Sequence, residues 1–229
     1  MLLAELEIFH SRPAQPTRRI SLGHMALPVD PAPGFGGLLL GAIVAQHLGG
    51  VDDDFVPDVH RLIGEVETGG RIVQPRLRHR FQLDRHGLGH STHRLLGEGD
   101  DISFDFATTG TDLAQVLGAI YAIERLSLDH RRAVAPVVQK AARWRGPIGP
   151  SMVAYLAGSQ TTTLEALADP SGWAMSLLGF ELGGAKPSKR EVTKAFRSKL
   201  RDVHPDHGGV EVDAAKSMSD LAEARRILS

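Results

Sequence analysis

The chain has 229 residues and no cysteine, which excludes disulfides, thiolate nucleophiles and cysteine-ligated zinc. Apolar residues make up 42% and charged residues 23%, the balance of a chain able to bury a core. With 26 Lys and Arg against 27 Asp and Glu the net charge is -1, so bulk charge calls for neither nucleic acid nor an acidic membrane surface as partner.

The charge is uneven. From Lys186 onward 10 basic residues stand against 7 acidic ones, whereas the 185 residues before it carry 16 and 20. A weakly acidic body with a basic tail suggests two modules. The opening MLLAELEIFH holds Glu5 and Glu7 where a secretion signal needs an unbroken apolar stretch. The longest apolar run, near Leu38 to Leu48, is about 11 residues, against the ~20 that a membrane-spanning helix needs. A cytoplasmic protein without a membrane span is expected.

Residues 2–9 and 18–29 read as two strands separated by a loop broken at Pro13 and Pro16. Gly34-Phe35-Gly36-Gly37 lacks the Gly-Lys-Ser/Thr of a phosphate loop and reads as a turn into a buried helix over Leu38–Leu48. Asp52-Asp53-Asp54 is placed to cap an amphipathic helix carrying Phe55, Val59, Leu62, Ile63 and Val66. Leu77, His79, Phe81 and Leu83 then alternate with Arg76, Arg78, Arg80 and Gln82, and Ile102, Phe104 and Phe106 alternate with Ser103 and Asp105. Both patterns predict half-buried antiparallel strands. Two helices follow, about Thr111–Arg125 and Asp129–Trp144, closed by Gly146, Pro147, Gly149 and Pro150. Residues 1–150 are therefore expected to form one α+β domain of unknown function, and 151–168 a linker with one short helix at Thr163–Ala168.

The remaining segment, 169–229, is expected to be all-α. Asp169-Pro170 starts a helix that Gly179 ends. Ser188 and Glu191 form a capping box for a second helix, in which Val192, Phe196, Leu200 and Val203 make one apolar stripe. Its other faces carry Lys189, Arg190, Lys194, Arg197, Lys199 and Arg201 against Glu191 and Asp202. Pro205 must end it. His204-Pro205-Asp206 and Gly208-Gly209 form a polar loop, and a third helix aligns Ala214, Met218, Leu221, Ala224 and Leu228. The two longer helices should pack antiparallel with the first across them.

This segment resembles a J-domain of the DnaJ-like family, in the divergent arrangement where the domain is fused to an unrelated one. Leu177-Leu178-Gly179-Phe180 is similar to the family's first-helix ending, and Ala195-Phe196-Arg197 to its second-helix triplet. His-Pro-Asp and the closing Leu-Ala-Glu-Ala-Arg-Arg-Ile-Leu-Ser follow in order. The resemblance implies binding to a DnaK-type chaperone and stimulation of its ATP hydrolysis. It implies that His204, Pro205 and Asp206 form the signalling turn, and that Lys194, Arg197 and Arg201 belong to the basic chaperone-binding face. Ala174 and Met175 replace the family's paired tyrosines. Lys199 stands where the family has a buried leucine, with Leu200 expected to take over its packing.

In the first module His79, His86, His90 and His93, with Asp84, cluster within fifteen residues. Metal ligation by imidazoles is weighed there against surface and turn histidines, and the turn reading is favoured because Gly87 and Gly89 mark a hairpin. No metal or cofactor is assigned. The arginine row is read as pairing across the sheet with Asp105 and its neighbours. No nucleophile-elbow pattern is present, and no enzymatic activity is expected. The favoured function is a co-chaperone whose first module recruits a client or a location, without nucleic acid. Two other readings stand beside it: a docking adaptor that does not stimulate ATPase, and a ligand-binding or enzymatic first domain regulated by the J-domain.

Overall fold

The computed structural model describes residues 1–12, 18–70, 79–159, 161–203 and 211–229. These residues form an α+β structure with a mixed five-stranded sheet. They divide into two compact units, Met1–Ala157 and Gly158–Ser229.

In the first unit the strands are β1 (Leu2–His10), β2 (Arg18–Ala26), β3 (His79–Phe81), β4 (Gly89–Glu98) and β5 (Asp101–Ala107). Their order across the sheet is β3-β2-β1-β4-β5. The helices are α1 (Gly34–His47), α2 (Val56–Glu67), α3 (Asp112–Glu124), α4 (Leu128–Ala141) and α5 (Pro150–Ala157).

Period-2 alternation gives the sheet two different faces. Ala4, Leu6 and Ile8 of β1, Ile20 and Leu22 of β2 and Leu95 of β4 are buried under helices α1 and α3. The helix α1 is apolar on every side, and Leu38, Leu39, Leu40, Ala42, Ile43 and Val44 are all buried. Such a helix needs neighbours all round. It packs on the sheet through β1 and β4, beside α3, and under α4 and α5. The amphipathic α2 completes this outer layer by burying Val59, Leu62, Ile63 and Val66. Asp52 caps the short 3-10 turn that leads into it, accepting from Asp54 N at 3.0 Å.

The opposite face of the sheet carries charge. Glu5, Arg94 and Asp105 lie in one cross-strand row, with Arg94 Nε donating to Glu5 Oε2 at 2.6 Å and Arg94 Nη1 3.6 Å from Asp105. The cross-strand partner of Asp105 is therefore Arg94. Of the arginine row expected in that role, Arg76 and Arg78 lie outside the described residues, and Arg80 stands in register with Arg19.

Three local expectations change. The strand around His79 and Phe81 pairs parallel with β2, not antiparallel. Helices α1 and α2 intervene between the two strands, and a crossover of that length returns the chain in the same direction. The strand β4, which sits between β1 and β5, occupies Gly89–Glu98, beginning at the glycine that marks the expected hairpin turn. Its polar run His-Ser-Thr-His-Arg hid the alternation, because Ser91 and His93 take inward positions beside Leu95. The stretch 151–168 holds most of α5 as well as the expected short helix α6 (Leu164–Ala168).

In the second unit the described elements are helices α6, α7 (Pro170–Leu178), α8 (Lys189–Val203) and α9 (Glu211–Leu228). Trp173, Ala174 and Leu178 of α7 pack with Val192 of α8 and with Leu221, Ala224 and Leu228 of α9.

The residue Gly118 tests the layering. A Cβ there would stand 2.6 Å from Ile8 Cδ1, so α3 approaches β1 as closely as glycine permits. Gly118→Val should overpack this contact and destabilise the first unit by roughly 1–3 kcal/mol. Amide exchange of β1 peptides should accelerate, while α9 peptides stay unchanged.

Candidate functional site

The helix-capping residues of the second unit do what their chemistry suggests. Asp169 Oδ1 accepts from Gly172 N at 2.9 Å, with Pro170 in the first turn. Gly179 ends α7 at φ 81°, a conformation that costs glycine little, and Phe180 N reaches back to Met175 O at 2.8 Å. Before α8, Glu191 Oε2 accepts from Ser188 N at 2.8 Å and from Ser188 Oγ at 2.6 Å. These bonds to Ser188 hold the Glu191 carboxyl below its ordinary range. Glu191 N closes the box on Ser188 Oγ at 3.4 Å.

The apolar stripe of α8 places Val192 in the core, with Ala195, Phe196 and Val203 packed against it. Arg225 of α9 lies over the Phe196 ring, 5.1 Å from its centroid. Leu200, expected to supply core packing in place of Lys199, is not among the residues packed against that core. It lines an open concavity together with Arg190, Thr193, Lys194, Arg197 and Arg201. Leu200 lies eight residues after Val192, about 80° round the helix, so it is turned to the edge of the stripe. Lys199, near the centre of the stripe, is exposed, and its Cε lies 3.7 Å from where a Gly179 Cβ would stand. A lysine stem can cover apolar surface there while its ammonium stays in water near the carbonyl end of α7.

Lys194, Arg197 and Arg201 are thus brought together, exposed, on one concave face, and Arg190 joins them. His204, Pro205 and Asp206 lie outside the described residues. They follow Val203, the last residue of α8, directly.

The histidine cluster of the first unit does not converge. His79 lies on β3 and is buried, His86 lies exposed before β4, and His90 and His93 stand on opposite faces of β4. Among the described residues no group of three or more His, Cys, Asp or Glu is placed to hold a metal ion.

A different polar network, not anticipated from the sequence, joins β1, β4, α1 and α3. His47 Nδ1 donates to Asp112 Oδ1 at 2.6 Å. Its Nε2 lies 3.4 Å from Thr108 Oγ1. His93 Nε2 donates to Gln115 Oε1 at 2.9 Å, and Gln115 Nε2 donates to Thr109 O at 2.6 Å. His10 Nε2 meets Thr109 Oγ1 at 3.0 Å, and Ser91 Oγ donates to Thr109 O at 3.0 Å. Gly110, at φ 82°, lets this loop pass directly over the His10 ring.

Because Gln115 fixes the proton of His93 on Nε2, Nδ1 is a bare acceptor, buried without a hydrogen-bond partner. Burial, reinforced by His47, pushes the His93 pKa down to about 4. Burial also lowers that of His10.

No protein-family model matches the chain, and no curated protein or solved structure matches it. No helix of the described residues is long and apolar enough to cross a membrane.

The buried neutral His93 makes stability depend on pH. Its folded pKa lies below the unfolded 6.5, so between these values the unfolded chain binds more protons. The first unit should lose roughly 3 kcal/mol of stability as pH falls from about 6.5 to about 4, and no more from this group below that. Urea denaturation across the window checks this, and His93→Phe should flatten it.

Proposed function

We propose that this chain is a co-chaperone, that its second unit is a J-domain, and that it stimulates ATP hydrolysis by a DnaK-type chaperone. The observation that carries this reading is the basic concavity of Arg190, Lys194, Arg197 and Arg201 on a helix whose last residue, Val203, directly precedes His204-Pro205-Asp206 in the sequence. The packing of α7, α8 and α9 around Trp173, Val192 and Leu221 supports it, since it fixes which face of α8 is left outward.

The basic face would meet an acidic chaperone surface. Charge pairing of this type accelerates encounter and sets orientation more than it adds affinity. Stimulation requires the His-Pro-Asp turn to favour the hydrolysis-competent state of the chaperone, since a ligand shifts an equilibrium only by differential binding. The hydrolytic chemistry belongs to the partner. The first unit would bring a client or a location to the complex.

Full-length protein should accelerate single-turnover ATP hydrolysis by a DnaK-type chaperone, and His204→Gln should abolish this with circular dichroism unchanged. Absence of acceleration by the wild type overturns the reading. Binding that survives His204→Gln without acceleration by either form marks a docking adaptor instead. The double variant Arg197→Glu, Arg201→Glu should slow association on the order of tenfold at low salt, with the difference shrinking as salt rises.

A further inference from the structure

The network on the first unit contains three groups in the order nucleophile, base, orienter. Thr108 follows β5 directly, in the loop that enters α3, and is exposed. Its hydroxyl donates to His47 Nε2 at 3.4 Å, while His47 Nδ1 donates to Asp112 Oδ1 at 2.6 Å. The carboxylate fixes the imidazole tautomer, which leaves the lone pair of Nε2 directed at the hydroxyl. A contact of 3.4 Å between nucleophile and base is within the looser range of sites without substrate.

Exposure separates this arrangement from an ordinary structural tie. The His47 side chain is only 7% exposed, whereas that of Asp112 is 44% exposed and Thr108 faces solvent. A buried base therefore links two groups that reach the surface at one place. The imidazole is held against edge-on rings, His93 at 5.8 Å and Phe106 at 6.4 Å between centroids, which keeps it from turning away. Asp112 is also the first residue of the 13-residue helix α3.

We propose that Thr108 is a nucleophile activated by His47 and Asp112, and that the first unit hydrolyses small carboxylic esters through an acyl-threonine. In the first half-reaction the Thr108 oxygen bonds to the ester carbonyl carbon and its proton passes to His47 Nε2. The carbon–alkoxide bond breaks, and the departing alkoxide takes that proton from His47 and leaves as the alcohol. In the second, water attacks the acyl carbon and gives a proton to His47. The acid departs, and the proton returns to the Thr108 oxygen. Asp112 keeps the ring in place and stabilises the imidazolium in both halves. The inference rests on the first unit alone and is independent of the co-chaperone reading.

The experiment uses the full chain with p-nitrophenyl acetate and, separately, a threonine-reactive β-lactone followed by peptide mass spectrometry. Wild type and Thr108→Ser should release nitrophenol and carry the lactone adduct at residue 108. Thr108→Val, which keeps the side-chain shape, should lose the adduct and at least ~100-fold of the rate. Asp112→Asn should retain a slow reaction with its pH profile shifted. A folded wild type without adduct at Thr108, or a Thr108→Val protein as active as wild type, overturns the proposal.

Discussion

Everything in the first unit is arranged around the burial of α1. A helix with Leu38, Leu39, Leu40, Ile43 and Val44 on its several sides has no face to give to water. The sheet covers one side, α3 lies beside it, and α4 and α5 cover another. Gly41 makes the outer contact close, since a Cβ there would already stand 3.0 Å from Leu156 and 3.3 Å from Ala141. That single demand sorts the strands as well. Their apolar side chains turn toward the helix layer, and the charged row of Glu5, Arg94 and Asp105 is left to the opposite face.

The same layering creates the polar network. The C-terminal end of α1 and the N-terminal end of α3 meet over the inward faces of β1 and β4, at a level where those faces present His10, Ser91 and His93. Buried polar groups at such a junction must bond to one another or pay for their desolvation. Most do so, through Gln115, Thr109 and Asp112. His93 Nδ1 remains without a partner, and burial holds the ring's pKa well below its ordinary value.

The second unit works by a different economy. Its core is built around Trp173, Leu178, Val192, Leu221 and Leu228, and its helix ends carry explicit caps from Asp169, Gly179, Ser188 and Glu191. Placing the stripe of α8 against α7 and α9 leaves its long basic side chains on the free face. Lys199 lies exposed near the end of α7, its Cε 3.7 Å from where a Gly179 Cβ would stand, so its stem can cover apolar surface while its charge stays in water.

Short-range features were legible from the residues alone. The strands at β1, β2 and β5, the helices α2, α3, α4 and α7 to α9, the capping box and the basic face all follow from hydrogen bonding and periodicity within a few positions. The α8 stripe was legible except at Leu200, because the drift of a 3.6-residue helix over two turns decides which of two adjacent residues faces inward. The parallel pairing of β3 and the inner position of β4 were not legible, since strand partners are chosen by which faces the helices cover. Nor was the relay among Thr108, His47 and Asp112, whose members stand 61 and 65 positions apart. The sequence by itself determined the caps of α7 and α8 and the buried face of α2, because those outcomes depend on neighbouring residues. Only the tertiary structure decided which histidines meet which acids and hydroxyls, because that depends on how distant elements are stacked to bury α1.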